Sequence, residues 1–561
     1  MKRLFMLKCW ILVVSLFSLT LGQGVNFEKE GSQKNSFESA LVDYQQFDGN
    51  QIKTWTSNRG EWVSCEANRE AGLEWPKNSG KYAVYQSGIW LVCGKVKEPD
   101  DESFKDEIRT ATVRYYSSEF QPGQIVYWDT LGNFEVASNQ YPQENCIWKA
   151  QNPEDPKYRY YKINRGETSS PDYLNWPIEQ GAPVDKNSNP LIMGDQTMWC
   201  VYNDAEQKNH DQRFASLPLG IEIQTTLFGF AQNDINHQLE NVLFVKSLMI
   251  NKSDNHYDEM YVGIWADPDL GKATDDLAGV DTSLALAYCF NGHSPDEIYG
   301  ATPPSVGFSF LQKPVVKNSK NTLPWSKDLP SEEDQTELSS FIRFTVGPPC
   351  YDPDTKEQVY NLMTGLSTQG EPIINPKTEK PTRFMISGDP ITREGWVDRD
   401  LGLPGDRRFL LSTGPFAMAP LDSQEIVTAI MIVKGETLMD GIRALKLYQE
   451  YIKIVFDSNF DPGSFNSLFD PSLPQNYELK QNYPNPFNPA TTISYFLPFG
   501  GLVELNIYNL QGQKIQELVN QWQSAGHYSL TWDGTNFSSG IYFFQIKTSD
   551  FTQTRKMILI K

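Results

Sequence analysis

Histidine is scarce in this 561-residue chain. The five present, His210, His237, His256, His293 and His527, are scattered, and none pairs with another at metal-ligand spacing. No HExxH, P-loop or GxGxxG occurs, so zinc-peptidase and nucleotide-binding chemistry lack their motifs. The nearest approach to a nucleophile elbow is GLSTQG around Ser367, which has one residue too many and no strand-then-helix context. A Ser–His–Asp triad is not addressed by spacing, because its members need not be neighbours. Blocks of Ala, Glu, Lys and Leu are few, whereas Pro, Gly, Tyr, Phe and Trp are plentiful, a balance that favours strands and tight turns over helices.

Long apolar runs are also missing. Only the first 22 residues are organised around one, with a basic MKRLFMLK, an apolar CWILVVSLFSLTL and small residues before Gln23. That is the pattern of a secretory signal peptide. Cys9 lies inside the apolar stretch, so a lipoprotein signal is not expected. Beyond it no run approaches ~18 apolar residues, and no transmembrane helix is expected in the mature chain.

Basic residues are too few to balance the acids. Once Lys2, Arg3 and Lys8 leave with the signal, 70 acids face 46 bases, a net charge of −24. Such a chain is repelled by nucleic acid and by anionic lipid. The charge is uneven: residues 480–561 carry +2 and residues 23–479 carry −26. Six cysteines remain, Cys65, Cys93, Cys146, Cys200, Cys289 and Cys350, with no CxxC among them. An even count in an exported protein allows 15 connectivities, and unpaired buried thiols fit equally well in a body this large.

Length and composition predict a globular, mainly β protein of several domains. The chain divides into a signal peptide at 1–22, a β-rich region at 23–215 and a second at 216–456. A linker at 457–479 and a C-terminal module at 480–561 follow. The body reads as a β-sandwich with irregular loops. Its clearest strands are GIEIQTTLFGFA, NVLFVKSLMIN, EMYVGIWA, SLALAYCF, SVGFSFL, RRFLLSTGPFAMAP and EIVTAIMIVKG. Residues 313–380 read as polar and irregular. One strong helix is expected over 436–456, where Leu438, Met439, Ile442, Leu445, Tyr448 and Ile452 form one apolar stripe suited to packing on its own domain.

The last ~80 residues have the cleanest strand pattern, six short strands with Gly turns, suited to an antiparallel sandwich of Ig-like type. In LVELNIYN, Val503, Leu505 and Ile507 alternate onto one face. YPNPFNP precedes them; each proline fixes φ and disfavours helix in the residue before it, predicting an extended, semi-rigid lead-in. YPNPFNPATTI, VELNIYNLQGQKI, AGHYSLTWDG, SGIYFFQI and TRKMILIK together resemble the type A C-terminal sorting domain of the type IX secretion system. They also resemble the Ig-like domain of flagellar hook-capping proteins. The resemblance implies a Gram-negative exported protein that crosses the periplasm, engages the type IX translocon and ends up secreted or at the cell surface. Surface lipopolysaccharide or glycans are further partners it suggests. Phrases of the body, among them GNQIKTWTSNRGEW, GDQTMWCVYND and GDRRFLLSTGPFAMAP, resemble large exported proteins bearing the same tail. That implies shared architecture and transfers no catalytic residue.

Within the body, WADPDLGKATDDLAGVDT places Asp267, Asp269, Asp275, Asp276 and Asp281 within fifteen residues, just after a predicted strand. Such carboxylates repel one another unless they are solvated or bridged by a hard cation, and Ca²⁺ takes six to eight oxygens. The twelfth position of the loop is Ala278 rather than Glu, so it is not an EF-hand. The alternatives are a calcium site and an acidic, solvated turn. A weaker calcium candidate is DKNSNP, with Asp185, Asn187 and Asn189. Trp176, Trp199, Trp265 and Trp396 lie in Asp- and Gly-rich surroundings. Exposed, they would stack on sugars beside paired carboxylates; buried, they would fill the core. Together these features favour a structural or adhesive surface protein, lean away from an enzyme, and leave a glycan-active hydrolase or carbohydrate-binding protein as the rival.

Overall fold

The computed structural model describes residues 42–561 apart from 66, 68–70, 116, 130–134, 137–145, 232–238, 317–329, 332–333, 461–476, 498–500, 524–525 and 549–550. The expected signal peptide and most of the expected linker lie outside the described residues. The protein is mostly β, as its composition predicts.

Two antiparallel sheets build the body, and in chain order their long strands alternate between them. The first sheet uses β1 (Gln86–Lys97) and β2 (Lys105–Arg114), and the second uses β3 (Gln196–Asn203), β4 (Ile221–Gly229) and β5 (Val242–Asn251). β6 (His256–Asp267) returns to the first sheet, and β7 (Asp276–Asp281), β8 (Leu286–Asn291) and β9 (Ser305–Gln312) to the second. β10 (Leu338–Arg343) and β11 (Phe409–Met418) complete the first sheet and β12 (Ser423–Val433) the second. The orders are β10–β11–β6–β1–β2 and β3–β4–β5–β12–β9–β8–β7, with short strands at the margins. β1 and β2, from before residue 215, pair directly or through β1 with β6, from after residue 216, so position 215 is not a break in the sheets.

One core joins the sheets. Ile89, Leu91, Ile264 and Leu411 on the inner face of the first lie in one cluster with Cys200, Ile223, Val245 and Ile430 of the second. Each outer face is roofed by a helix. α1 (Lys356–Thr364) buries Val359, Leu362 and Met363 against the first sheet. α2 (Leu438–Asp457) lays Ile442, Leu445, Ile452 and Val455 over Phe244, Leu286 and Met431 of the second. Two glycines let the roofs sit close. A Cβ on Gly94 would stand 2.6 Å from the Tyr360 ring, and one on Gly307 would stand 2.8 Å from Leu286 and 3.2 Å from Leu445. α2 matches the predicted helix and its stripe. β10 and α1 fall inside 313–380, where irregular chain is expected. α1 spans only nine residues, but Thr355 caps its start and Gly365, at φ 89°, closes its end.

The C-terminal module has its own core between two antiparallel sheets, one with Ala490–Leu497 and Gly526–Asp533, the other with Gly501–Tyr508, Lys514–Gln523, Gly540–Lys547 and Thr552–Leu559. Val503, Leu505 and Ile507 are fully buried in it. The proline-rich lead-in is stitched to the final strand. Asn485 Oδ1 accepts the Ile558 amide at 2.9 Å, and Phe487, buried, exchanges main-chain bonds with Ile558 and Ile560 at 3.0 Å.

Candidate metal centre

Antiparallel register creates the site. Ala266 of β6 pairs with Phe409 of β11, so the residues just after 266 face those just before 409. Asp267 and Asp269 thereby meet Asp406, and carboxylate oxygens of all three lie within 4.8 Å of one another. Asp267 is buried, Asp269 half-buried and Asp406 exposed. Asp406 is the partner that sequence reasoning missed. It stands 137 residues beyond Asp269 in a stretch, GDRRF, that reads as a polar turn. Only the pairing of β6 with β11 could have pointed to it.

The other predicted carboxylates part company. Asp276 opens β7, fully buried, and its Oδ2 accepts the Leu270 amide at 3.1 Å. Its carbonyl accepts the Gly405 amide at 3.0 Å, which ties β7 to the loop of Asp406. Burial pushes its carboxyl well above the usual range; the Leu270 amide opposes this, and the charges of Asp269, Asp275 and Asp406 add to it. Asp275 accepts from Asn291 Nδ2 at 2.8 Å and lies 3.3 Å from His293 Nε2. Asp281 sits at the far end of β7, about 16 Å along the strand, where it pairs with Lys446 of α2 at 3.0 Å. The cluster is therefore not a solvated turn, since Asp267, Asp275 and Asp276 are all buried.

Cations stand beside the carboxylates. Arg408 bonds Asp352 and donates to Tyr115 Oη at 3.1 Å. Burial alone would lower its pKa, but Tyr115, Asp352, Asp267 and Asp406 outweigh that and raise it. Arg407 points the other way, to buried Asp398 at 2.7 Å. Asp398 also accepts the Ala278 amide at 2.8 Å and faces Arg343 at 3.3 Å.

The remaining candidates are consumed structurally. Asp185 Oδ1 accepts the amides of Asn187 and Asn189 at 2.8 and 2.9 Å, making DKNSNP a self-bonded turn. Trp176, Trp199, Trp265 and Trp396 are no more than 5% exposed, so they fill cores and offer no face to a sugar. Ser367 follows the α1 cap and accepts the Glu371 amide at 3.0 Å, in a turn rather than an elbow. A Ser–His–Asp grouping does form, in the interior. Ser216 Oγ lies 3.1 Å from His210 Nδ1, and Asp204 Oδ2 lies 3.6 Å from Nε2. All three are fully buried. Glu119 also reaches Nδ1 at 3.2 Å, and Asp204 is committed to the Leu219 and Ile221 amides at 2.6 and 2.7 Å. The grouping braces chain turns in the interior. Cys93, Cys200, Cys289 and Cys350 are free and buried, Cys65 is also buried, and burial pushes the Cys93 and Cys350 thiols up to about 12.

Comparison with known families gives one match: residues 481–561 fit the secretion system C-terminal sorting domain. The C-terminal module is thus a sorting domain, and it marks the chain as delivered by type IX secretion to the surface or the medium. No curated protein matches the chain. Among solved structures, the adhesin domain of Epf from Streptococcus pyogenes is similar at 10% identity and a TM-score of 0.15, over 65% of this chain and 90% of that one. PorU of Porphyromonas gingivalis is similar at 11% identity and 0.14, over 65% and 31%. PorZ of the type IX system of the same organism is similar at 10% and 0.15, over 93% and 56%. At these scores neither fold nor activity is taken from them.

Proposed function

We propose that this protein travels through the periplasm of a Gram-negative bacterium and out by the type IX route, and that residues 23–479 are its structural or adhesive cargo. The observation that carries the reading is the sorting-domain match at 481–561, on a module with its own core. A signal peptide at 1–22 supplies the first crossing in this scheme. No described helix is long and apolar enough to cross a membrane. The structural role is supported by a sandwich whose outer faces are roofed by α1 and α2, and by the burial of the serine, cysteine and tryptophan candidates. The sorting module is read as Ig-like, with the translocon as its partner.

Truncation before Gln481 tests the export step. A folded protein retained in the periplasm is the expected result, and unaltered delivery to the surface or medium would overturn it. Screening the exported protein on glycan arrays and for polysaccharide hydrolysis tests the cargo reading. Hydrolysis would replace it with the glycan-active alternative.

A further inference from the structure

We propose that Asp267, Asp269 and Asp406, backed by Asp276 and Asn291, form a binding site for a hard divalent cation, calcium by preference. The inference goes beyond the export reading and does not depend on it.

Three carboxylates within 4.8 Å are not by themselves a site. The second observation lies behind them. Asp276 Oδ1 and Asn291 Oδ1 are fully buried oxygens with no hydrogen-bond donor among the described protein groups. Buried oxygens are rarely left so. They are also neighbours. Asp276 and Asn291 stand directly opposite in the β7–β8 register, so their side chains leave the same face of the hairpin. Both heads grip one residue: Asp276 Oδ2 accepts the Leu270 amide at 3.1 Å, and Asn291 Nδ2 donates to the Leu270 carbonyl at 3.1 Å. Leu270 follows Asp269 directly. The oxygens not used for that grip belong to heads held against the Asp269 loop, and the Gly405 amide bonded to Asp276 holds the Asp406 loop to the same strand.

The three carboxylates that converge offer oxygen alone, which suits a hard cation, and solvent access through exposed Asp406 leaves room for the water ligands of calcium's larger, flexible shell. His293 is turned to Asp275. Arg408 neutralises part of the charge, but its guanidinium is already shared with Asp352 and Tyr115. A bound cation would clasp the loop after β6 to the loop before β11 and to the start of β7.

The test uses the chelator-treated mature protein with calcium or magnesium at about 1 mM, the range of extracellular calcium modules. Calcium is expected to raise Tm by about 2 °C or more, because it binds the folded state. Terbium, a calcium stand-in, is expected to luminesce through Trp265, two residues from Asp267, and to be displaced by calcium. Asp406→Asn, at an exposed position, is expected to weaken binding tenfold or more. Asp281→Asn and Asp185→Asn are expected to bind as the wild type does. Absence of both the Tm shift and the luminescence would overturn the proposal, as would wild-type binding by Asp406→Asn or equal loss in Asp281→Asn. An equal magnesium response would overturn the choice of calcium. Luminescence reads occupancy directly, so a change in fold stability alone cannot imitate the result.

Discussion

Arg407 Nε donates to Asp398 Oδ2 at 2.7 Å with both side chains buried, and this pair holds the loop before β11 against β7. Asp398 also accepts the Ala278 amide, so one carboxylate joins three chain segments. Truncating Arg407 to Ala leaves the buried Asp398 carboxylate only Arg343, at 3.3 Å, as a counter-charge. Arg407→Ala is expected to cost about 3–5 kcal/mol, measured by chemical denaturation. A loss below about 1 kcal/mol would mean that Arg343 substitutes for it.

His210 makes stability depend on pH. Burial alone would lower its pKa, but the bond to Glu119 and the charge of Asp204 outweigh this and raise it to about 9. An unfolded histidine titrates near ~6.5. The raised folded value means that the stabilisation is complete below that pH and is lost as pH rises through about 9. Unfolding free energy should fall by on the order of 2–3 kcal/mol between pH 6 and 10 from this group. His210→Gln should flatten that slope, and parallel pH profiles for the two proteins would refute the assignment.

The α2 roof is held by side chains that fill the space above Gly307. Leu445→Ala should cost about 2–5 kcal/mol through lost burial and a cavity. Gly307→Val should also destabilise, since even a Cβ there meets Leu286 at 2.8 Å. Wild-type stability in Gly307→Val would show that the helix can move away from the sheet at little cost.

Phe487 is the lead-in's contribution to the sorting-domain core, with its ring centroid 5.5 Å from that of Trp532. Phe487→Ala is expected to cost the module about 3–5 kcal/mol. Protease sensitivity should rise in residues 481–561 first, and exported protein should fall relative to the periplasmic pool. Unchanged protease resistance in that module would sink the packing argument.

Much of the architecture is legible in local pattern. The stripe from Leu438 to Ile452 specifies α2, and the alternation of Val503, Leu505 and Ile507 specifies one face of a tail strand. Period 3.6 and period 2 are local properties of the chain. α1 is less legible because it buries only Val359, Leu362 and Met363 in a short polar surrounding. The candidate site is legible by half. Asp267 and Asp269 are neighbours in sequence, and an acidic run after a strand draws attention to itself. Asp406 and Asn291 carry no such mark.

The sequence by itself determined the mainly β character, the C-terminal sorting module and the acidic cluster, because composition, periodicity and a contiguous motif express short-range physics. Tertiary structure alone decided which acids meet. Asp281 is drawn to Lys446 and Asp275 to His293, while Asp406 is delivered by the β6–β11 register. It also decided that the tryptophans serve cores rather than ligands. Pairing between distant strands and burial on both faces of a sheet depend on the whole chain, and no window of residues contains them.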